Sequence, residues 1–96
     1  MKIYLSVHIQ SKEEAQQEVK AILQNLVVQT LQEKGCIQYT LHQGIEDNNT
    51  FVFYEVWESQ EALDKHNKMP YIKELAVLFE DKLASESVLV KSTLIP

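Results

Sequence analysis

Residues Ile3 to Gln10 alternate. Ile3, Leu5, Val7 and Ile9 fall on one side and Tyr4, Ser6, His8 and Gln10 on the other, the two-residue period of a strand with one apolar face. Ser11 then predicts a helix start: its hydroxyl is placed to cap the first turn, and Glu14 follows three residues on as a capping box requires. Ala15, Val19, Ile22, Leu23, Leu26, Val27 and Leu31 form one stripe of a 3.6-residue period. Glu13, Glu14 and Glu18 near the start and Lys34 at the end suit the helix dipole, and Gly35 is the expected C-terminal stop. Cys36 to Gln43 reads as a second strand with Ile37, Tyr39 and Leu41 on one face. Gly44 to Thr50 is a polar turn, and Phe51 to Glu58 is a third strand rich in aromatic and branched residues, so the two strands make a hairpin. Ser59 is placed to cap a short helix through about Lys68. Pro70 suits the first position of a further helical segment whose stripe is Ile72, Leu75, Ala76, Phe79 and Leu83, and Val88 to Leu94 is the last strand.

The resulting β-α-β-β-α-β order is the split βαβ arrangement of an α+β, ferredoxin-like fold, with helices on one face of a four-stranded antiparallel sheet. On the third strand Val52, Tyr54 and Val56 oppose Phe51, Phe53, Glu55 and Trp57, and neither set is plainly a solvated one. A sheet apolar on both faces is usually covered on both. A second copy of the chain is the simplest cover, so a homodimer through the open sheet face is expected.

Composition narrows the function classes. With 96 residues the chain is one domain, its core running from about residue 3 to 94. The net charge is −5 with the acidic residues scattered, which argues against nucleic acid and against an anionic membrane surface. One cysteine rules out an internal disulfide. No stretch reads as a signal peptide or a membrane span, so the cytoplasm is the expected compartment. With two glycines, Gly35 and Gly44, no nucleotide-binding loop can be built, and three scattered histidines supply no metal-ligand spacing. The expectation is a protein without cofactor or metal.

Several blocks together carry a family resemblance. Glu33-Lys34-Gly35-Cys36-Ile37-Gln38-Tyr39 looks like an E-x-G-C-x-x-Y block, and Phe53-Tyr54-Glu55-Val56-Trp57-Glu58-Ser59 like an F-x-x-E-x-W-x-S strand-to-helix junction. Ala62-Leu63, His66 and Pro70 follow in order. Over roughly residues 3 to 94 the chain resembles the antibiotic-biosynthesis-monooxygenase, or quinol monooxygenase-like, family. The resemblance implies a dimeric α/β barrel with a small pocket in each subunit between sheet and helices. It also implies oxygenation of electron-rich phenols and hydroquinones by molecular oxygen without flavin, haem or metal. Similar chains include isomerases of a phosphorylated autoinducer sugar and haem-degrading proteins. The haem-degrading set of asparagine, tryptophan and histidine is absent, since its slots hold approximately Val7, His66 and Ala76.

His66 matches the family's histidine and is the first candidate base, because imidazole titrates near neutrality. The competing reading is a capping or core histidine. As a helix-surface imidazole it would add little to stability. Glu55, mid-strand between two aromatics, is the second candidate. It could orient His66 or act as base itself, against a structural ion pair or helix cap. Tyr39, Phe53 and Trp57 would wall an aromatic pocket, against ordinary core packing. Tyr71 stands where several relatives carry a second histidine and offers a phenol as donor instead. His8 and His42 read as interfacial or exposed, and Cys36 as a structural thiol with no adjacent base. The leading expectation is a cofactor-independent monooxygenase of a small quinol- or phenol-like molecule. The alternatives are an isomerase of a small phosphorylated sugar-like molecule, or a non-catalytic binding dimer.

Overall fold

The computed structural model describes all 96 residues. Strand β1 (Ile3–Gln10) lies between β3 (Thr50–Trp57) and β4 (Val88–Ser92), and β2 (Cys36–Gln43) flanks β3 at the far edge, giving the antiparallel order β2-β3-β1-β4. This is the ferredoxin-like sheet. The register pairs Ile3 with Trp57, Leu5 with Glu55, Val7 with Phe53 and Ile9 with Phe51, and Tyr39 and Leu41 of β2 with Glu55 and Phe53. One face therefore collects the large apolar side chains of three strands. Helix α1 (Gln16–Thr30) covers it with Val19, Leu23 and Leu26, all buried, and α2 (Gln60–Asn67) adds Leu63. Two four-residue helices, α3 (Pro70–Lys73) and α4 (Leu75–Leu78), lead back toward β4. No helix is long and apolar enough to cross a membrane.

Several details differ from the expectation. Ser11 does not cap α1. It bridges to Leu83, and its hydroxyl donates to the Asn49 carbonyl at 3.2 Å, so Ser11 still belongs to the sheet end. A short 3-10 turn, Glu13–Ala15, leads into α1 without a side-chain cap, and Glu14 closes no capping box. The helix stops at Thr30, not Lys34, and Gly35 has no positive φ. Gly35 is required by proximity instead: a Cβ there would sit 2.3 Å from the Ala62 Cβ, so the missing side chain lets α2 lie against the start of β2. A register shift between Cys36 and Gln38 turns Ile37 outward to 49% exposure while Tyr39 and Leu41 keep the core face. The stripe beginning at Ile72 is real, with Ile72, Leu75, Phe79 and Leu83 half-buried against the core, but it is carried by short helices and turns and Ala76 is exposed. Strand β4 ends at Ser92. Ser59 does cap α2, its Oγ accepting the Ala62 N–H at 3.1 Å, and Pro70 opens α3.

The other sheet face carries Tyr4, Ser6 and His8 of β1, Thr40 and His42 of β2, Val52, Tyr54 and Val56 of β3, and Val88 and Val90 of β4. Much of it is open to solvent: Tyr54, Val88 and Val90 are 40%, 59% and 54% exposed, although Val56 is buried.

Candidate active site

Between the covered sheet face and α2 to α4 lies a cavity of about 510 Å³. Its strand wall is Leu5, Val7, Ile9, Tyr39, Phe53 and Glu55. Leu63, His66 and Asn67 come from α2, Ile72, Leu75, Ala76, Phe79 and Leu83 from the segment beyond, and Ser85, Glu86, Ser87 and Leu89 from the return into β4. Apart from the Tyr39 phenol, the ionisable groups in this wall are Glu55, His66 and Glu86, and no lysine or arginine contributes.

Strand alternation places Glu55 on the same face as Phe53 and Trp57, where it is 4% exposed. Trp57 Nε1–H donates to its Oε1 at 2.9 Å. Burial pushes the Glu55 carboxyl up to about 7. The Trp57 hydrogen bond pulls the other way, and the charge of Glu33 adds a smaller push upward. A carboxyl near 7 exchanges protons readily at neutral pH, the property a general acid or base needs.

His66 occupies the last turn of α2 and leans onto the sheet. Its ring lies 4.5 Å from Trp57 and 5.7 Å, edge-on, from Tyr39, centroid to centroid, and the residue is 4% exposed. It is therefore a buried residue and not a helix-surface imidazole. Its Nδ1 hydrogen-bonds Glu33 Oε2 at 2.6 Å, and the Tyr71 hydroxyl donates to the same oxygen. Glu33, not Glu55, thus orients His66. With Nδ1 engaged, Nε2 has no partner in the protein and is not sealed away. Burial raises the Tyr39 phenol, and the Glu55 charge raises it further. Tyr71 is raised by burial and then by donating to Glu33. Both phenols are therefore neutral donors at physiological pH. Burial, followed by the charges of Glu33 and Glu55, pushes the Cys36 thiol up to about 11, which makes it a poor nucleophile.

Tyr39 and Phe53 stand in the cavity wall, their rings 4.7 Å apart. Trp57 and Tyr71 do not. Trp57, with no exposed surface, lies 4.5 Å from the His66 ring, and Tyr71 lies 6.4 Å from it. The sequence-predicted residues are thus gathered in one place, but two of the six do not line the cavity. His8 and His42 lie on the other sheet face, away from the cavity, and no three His, Cys, Asp or Glu side chains group as metal ligands would.

Residues 2–77 match the family described as antibiotic biosynthesis monooxygenase. The chain belongs to that family. YcnE of Bacillus subtilis, whose name gives monooxygenase activity only provisionally, is 28% identical over 92 residues, covering 96% of this chain and 97% of its own. The uncharacterized protein sll1783 of Synechocystis is 33% identical over 82 residues, 85% of this chain, and the chain spans 56% of that relative's length. A solved structure described as an antibiotic biosynthesis monooxygenase superposes with a TM-score of 0.92 at 28% identity, covering 98% of this chain and 99% of its own.

Within this family fold, sequence reading missed the contact of Glu33 with His66 and Tyr71 and the buried position of Thr30. Thr30 is fully buried, and its hydroxyl lies close enough to the Tyr39 and Tyr71 phenols to lower both slightly without forming a well-made hydrogen bond. A signal existed for one of the two. Thr30 continues the helical stripe of Leu23 and Leu26, and a polar residue on a buried stripe calls for an explanation; Glu33 lies beyond the helix end, where periodicity gives no signal.

Glu55 also leaves a stability signature. Between its ordinary value of 4.5 and about 7, the folded chain keeps a proton that the unfolded chain has lost, so stability falls as pH rises through that window and levels off above it. The full cost is on the order of 3 kcal/mol. Glu55→Gln, which can still accept from Trp57, should therefore gain up to about 3 kcal/mol over wild type at pH 8 and almost nothing at pH 4. Urea denaturation of both proteins at the two pH values measures this. An equal difference at both would show that Glu55 titrates normally.

Proposed function

We propose that the protein is a cytoplasmic, cofactor-independent monooxygenase of a small, uncharged quinol- or phenol-like molecule, working as a homodimer. The character of the cavity carries this reading: an apolar chamber sized for one or two aromatic rings, with a base at one side and no cation in its wall. A phosphorylated sugar would face Glu55 and Glu86 with no lysine or arginine to meet its charge, which disfavours the isomerase reading.

In the proposed reaction His66 Nε2 takes a proton from the bound hydroxyl, and the resulting electron-rich anion passes an electron to oxygen. One hydroquinone and one O2 give one hydroxyquinone and one water. Tyr39 and Phe53 hold the ring, and Glu55, titrating near neutrality, serves the proton transfers that follow oxygen addition. The apolar wall offers few polar groups to hold water beside the intermediate. The partly open sheet face, with Tyr54, Val88 and Val90 exposed, supports the dimer.

The test is oxygen uptake with a panel of benzo- and naphthohydroquinones, alongside their sulfonated forms and a sugar phosphate. Uptake above the spontaneous rate with the neutral quinols and not with the sulfonates is expected, and light scattering should return twice the 11.1 kDa chain mass. Turnover of the sugar phosphate, or of nothing, would overturn the assignment.

A further inference from the structure

The hydrogen bond between His66 and Glu33 joins two spaces that the protein otherwise separates. His66 lines the apolar cavity. Glu33 lines a second hollow of about 470 Å³ on the outer side of the loop before β2, a polar groove whose walls include Lys34, Glu58, Glu61 and Lys65. No residue lines both hollows, and His66 of the first and Glu33 of the second are in contact at 2.6 Å. Glu33 Oε2 takes both donors, His66 Nδ1 and the Tyr71 hydroxyl, while Oε1 has no partner in the protein and is not sealed from solvent. The side chains of His66 and Glu33 are 5% and 7% exposed, so the bridge is shielded along its length and open at its two ends.

We propose that Glu33 is the proton outlet of this site, carrying to the outer groove the proton that His66 takes from a hydroxyl bound in the cavity. This rests on the reading of His66 as the base. The step balances as a relay. The substrate O–H bond breaks and an Nε2–H bond forms, the Nδ1–H proton passes to Glu33 Oε2, and the carboxylic acid releases a proton to water in the groove. Nδ1 is then free to draw a proton back from Glu33 when Nε2 returns one to the reduced oxygen, so the same wire runs in both directions. Such a wire gives the proton a route that does not run along the apolar wall of the cavity, where few polar groups could pass it on. Tyr71, donating to Oε2, holds the carboxylate in line and is a positioning residue.

The experiment uses 4-nitrophenol, which is coloured as the anion, with wild type and Glu33→Gln in weak buffer containing a pH indicator. The amide of the variant can still accept from Nδ1 and so keeps the ring in place, but it cannot take up a proton; 15N shifts of His66 in both proteins confirm the tautomer. In wild type the bound phenolate and the released proton should appear together. In Glu33→Gln proton release should lag at least 10-fold while 4-nitrophenol affinity is kept, and with quinols kcat should fall with KM unchanged. Equal release in both proteins, or no ionisation of 4-nitrophenol by wild type, overturns the relay. If quinols turn over and Glu33→Gln runs at the wild-type rate, the relay falls and the monooxygenase reading stands. If no quinol turns over but release depends on Glu33, the monooxygenase reading falls and the relay stands.

Discussion

His66→Ala should lower oxygen-dependent quinol turnover by roughly 100- to 10,000-fold, the contribution of a positioned base. The structure supports placing the loss there. The ring is fixed on one side by Glu33 at 2.6 Å and on its face by Trp57 at 4.5 Å, and its second nitrogen is left without a protein partner in a residue that lines the cavity. Because the ring is buried, the substitution also opens a void and strips a partner from the Glu33 carboxylate, at a cost of about 1–3 kcal/mol. Rates must therefore be taken at a temperature where circular dichroism shows the variant folded, and His66→Gln, which refills most of the volume without a comparable base, should be nearly as slow. A folded His66→Ala running within a factor of three of wild type would remove His66 as the base and leave Glu55, already poised near 7, as the group to replace next.

The sheet was legible in the chain because alternation reports it directly: Ile3 to Gln10 and Cys36 to Gln43 occupy the predicted strand spans, and the third strand is displaced by one residue. Element ends were less legible, since they depend on contacts made by distant residues. Ser11 looked like a cap and is a sheet residue because Asn49 and Leu83 reach it from elsewhere. Gly35 looked like a helix stop and is a spacer for Ala62, twenty-seven residues on. Ile37 was misplaced because a bulge leaves no mark in a pattern that otherwise alternates. The site was legible by type and not by wiring. A carboxylate between Phe53 and Trp57 and a histidine after Leu63 both pointed to the cavity, but which carboxylate meets the histidine depends on how the turn after α1 approaches α2. Periodicity ends at that turn.

Trp57→Ala should be among the most damaging single substitutions for folding, costing about 3–5 kcal/mol. The indole has no exposed surface, stacks on His66 and meets Tyr39 edge-on at 6.3 Å, so its removal empties the layer between the sheet and α2. At about 4–8 °C per kcal/mol for a domain of this size, the melting temperature should drop by well over 10 °C. Trp57→Phe separates packing from hydrogen bonding. It keeps most of the apolar volume but withdraws the N–H that Glu55 Oε1 accepts at 2.9 Å. That hydrogen bond is what holds the Glu55 carboxyl down against burial, so without it the carboxyl must rise above about 7. The sign follows: at pH 5 Glu55 is protonated in both folded proteins and little is lost, whereas at pH 9 the variant must ionise a carboxyl with no donor beside it. The deficit of Trp57→Phe should therefore grow from pH 5 to pH 9, by about 1–3 kcal/mol, the cost of a buried charged group deprived of its partner. Urea denaturation across that range tests both variants. A Trp57→Ala within 1 kcal/mol of wild type would show that the layer can collapse around the loss, and a Trp57→Phe deficit independent of pH would show that the indole N–H does not govern Glu55.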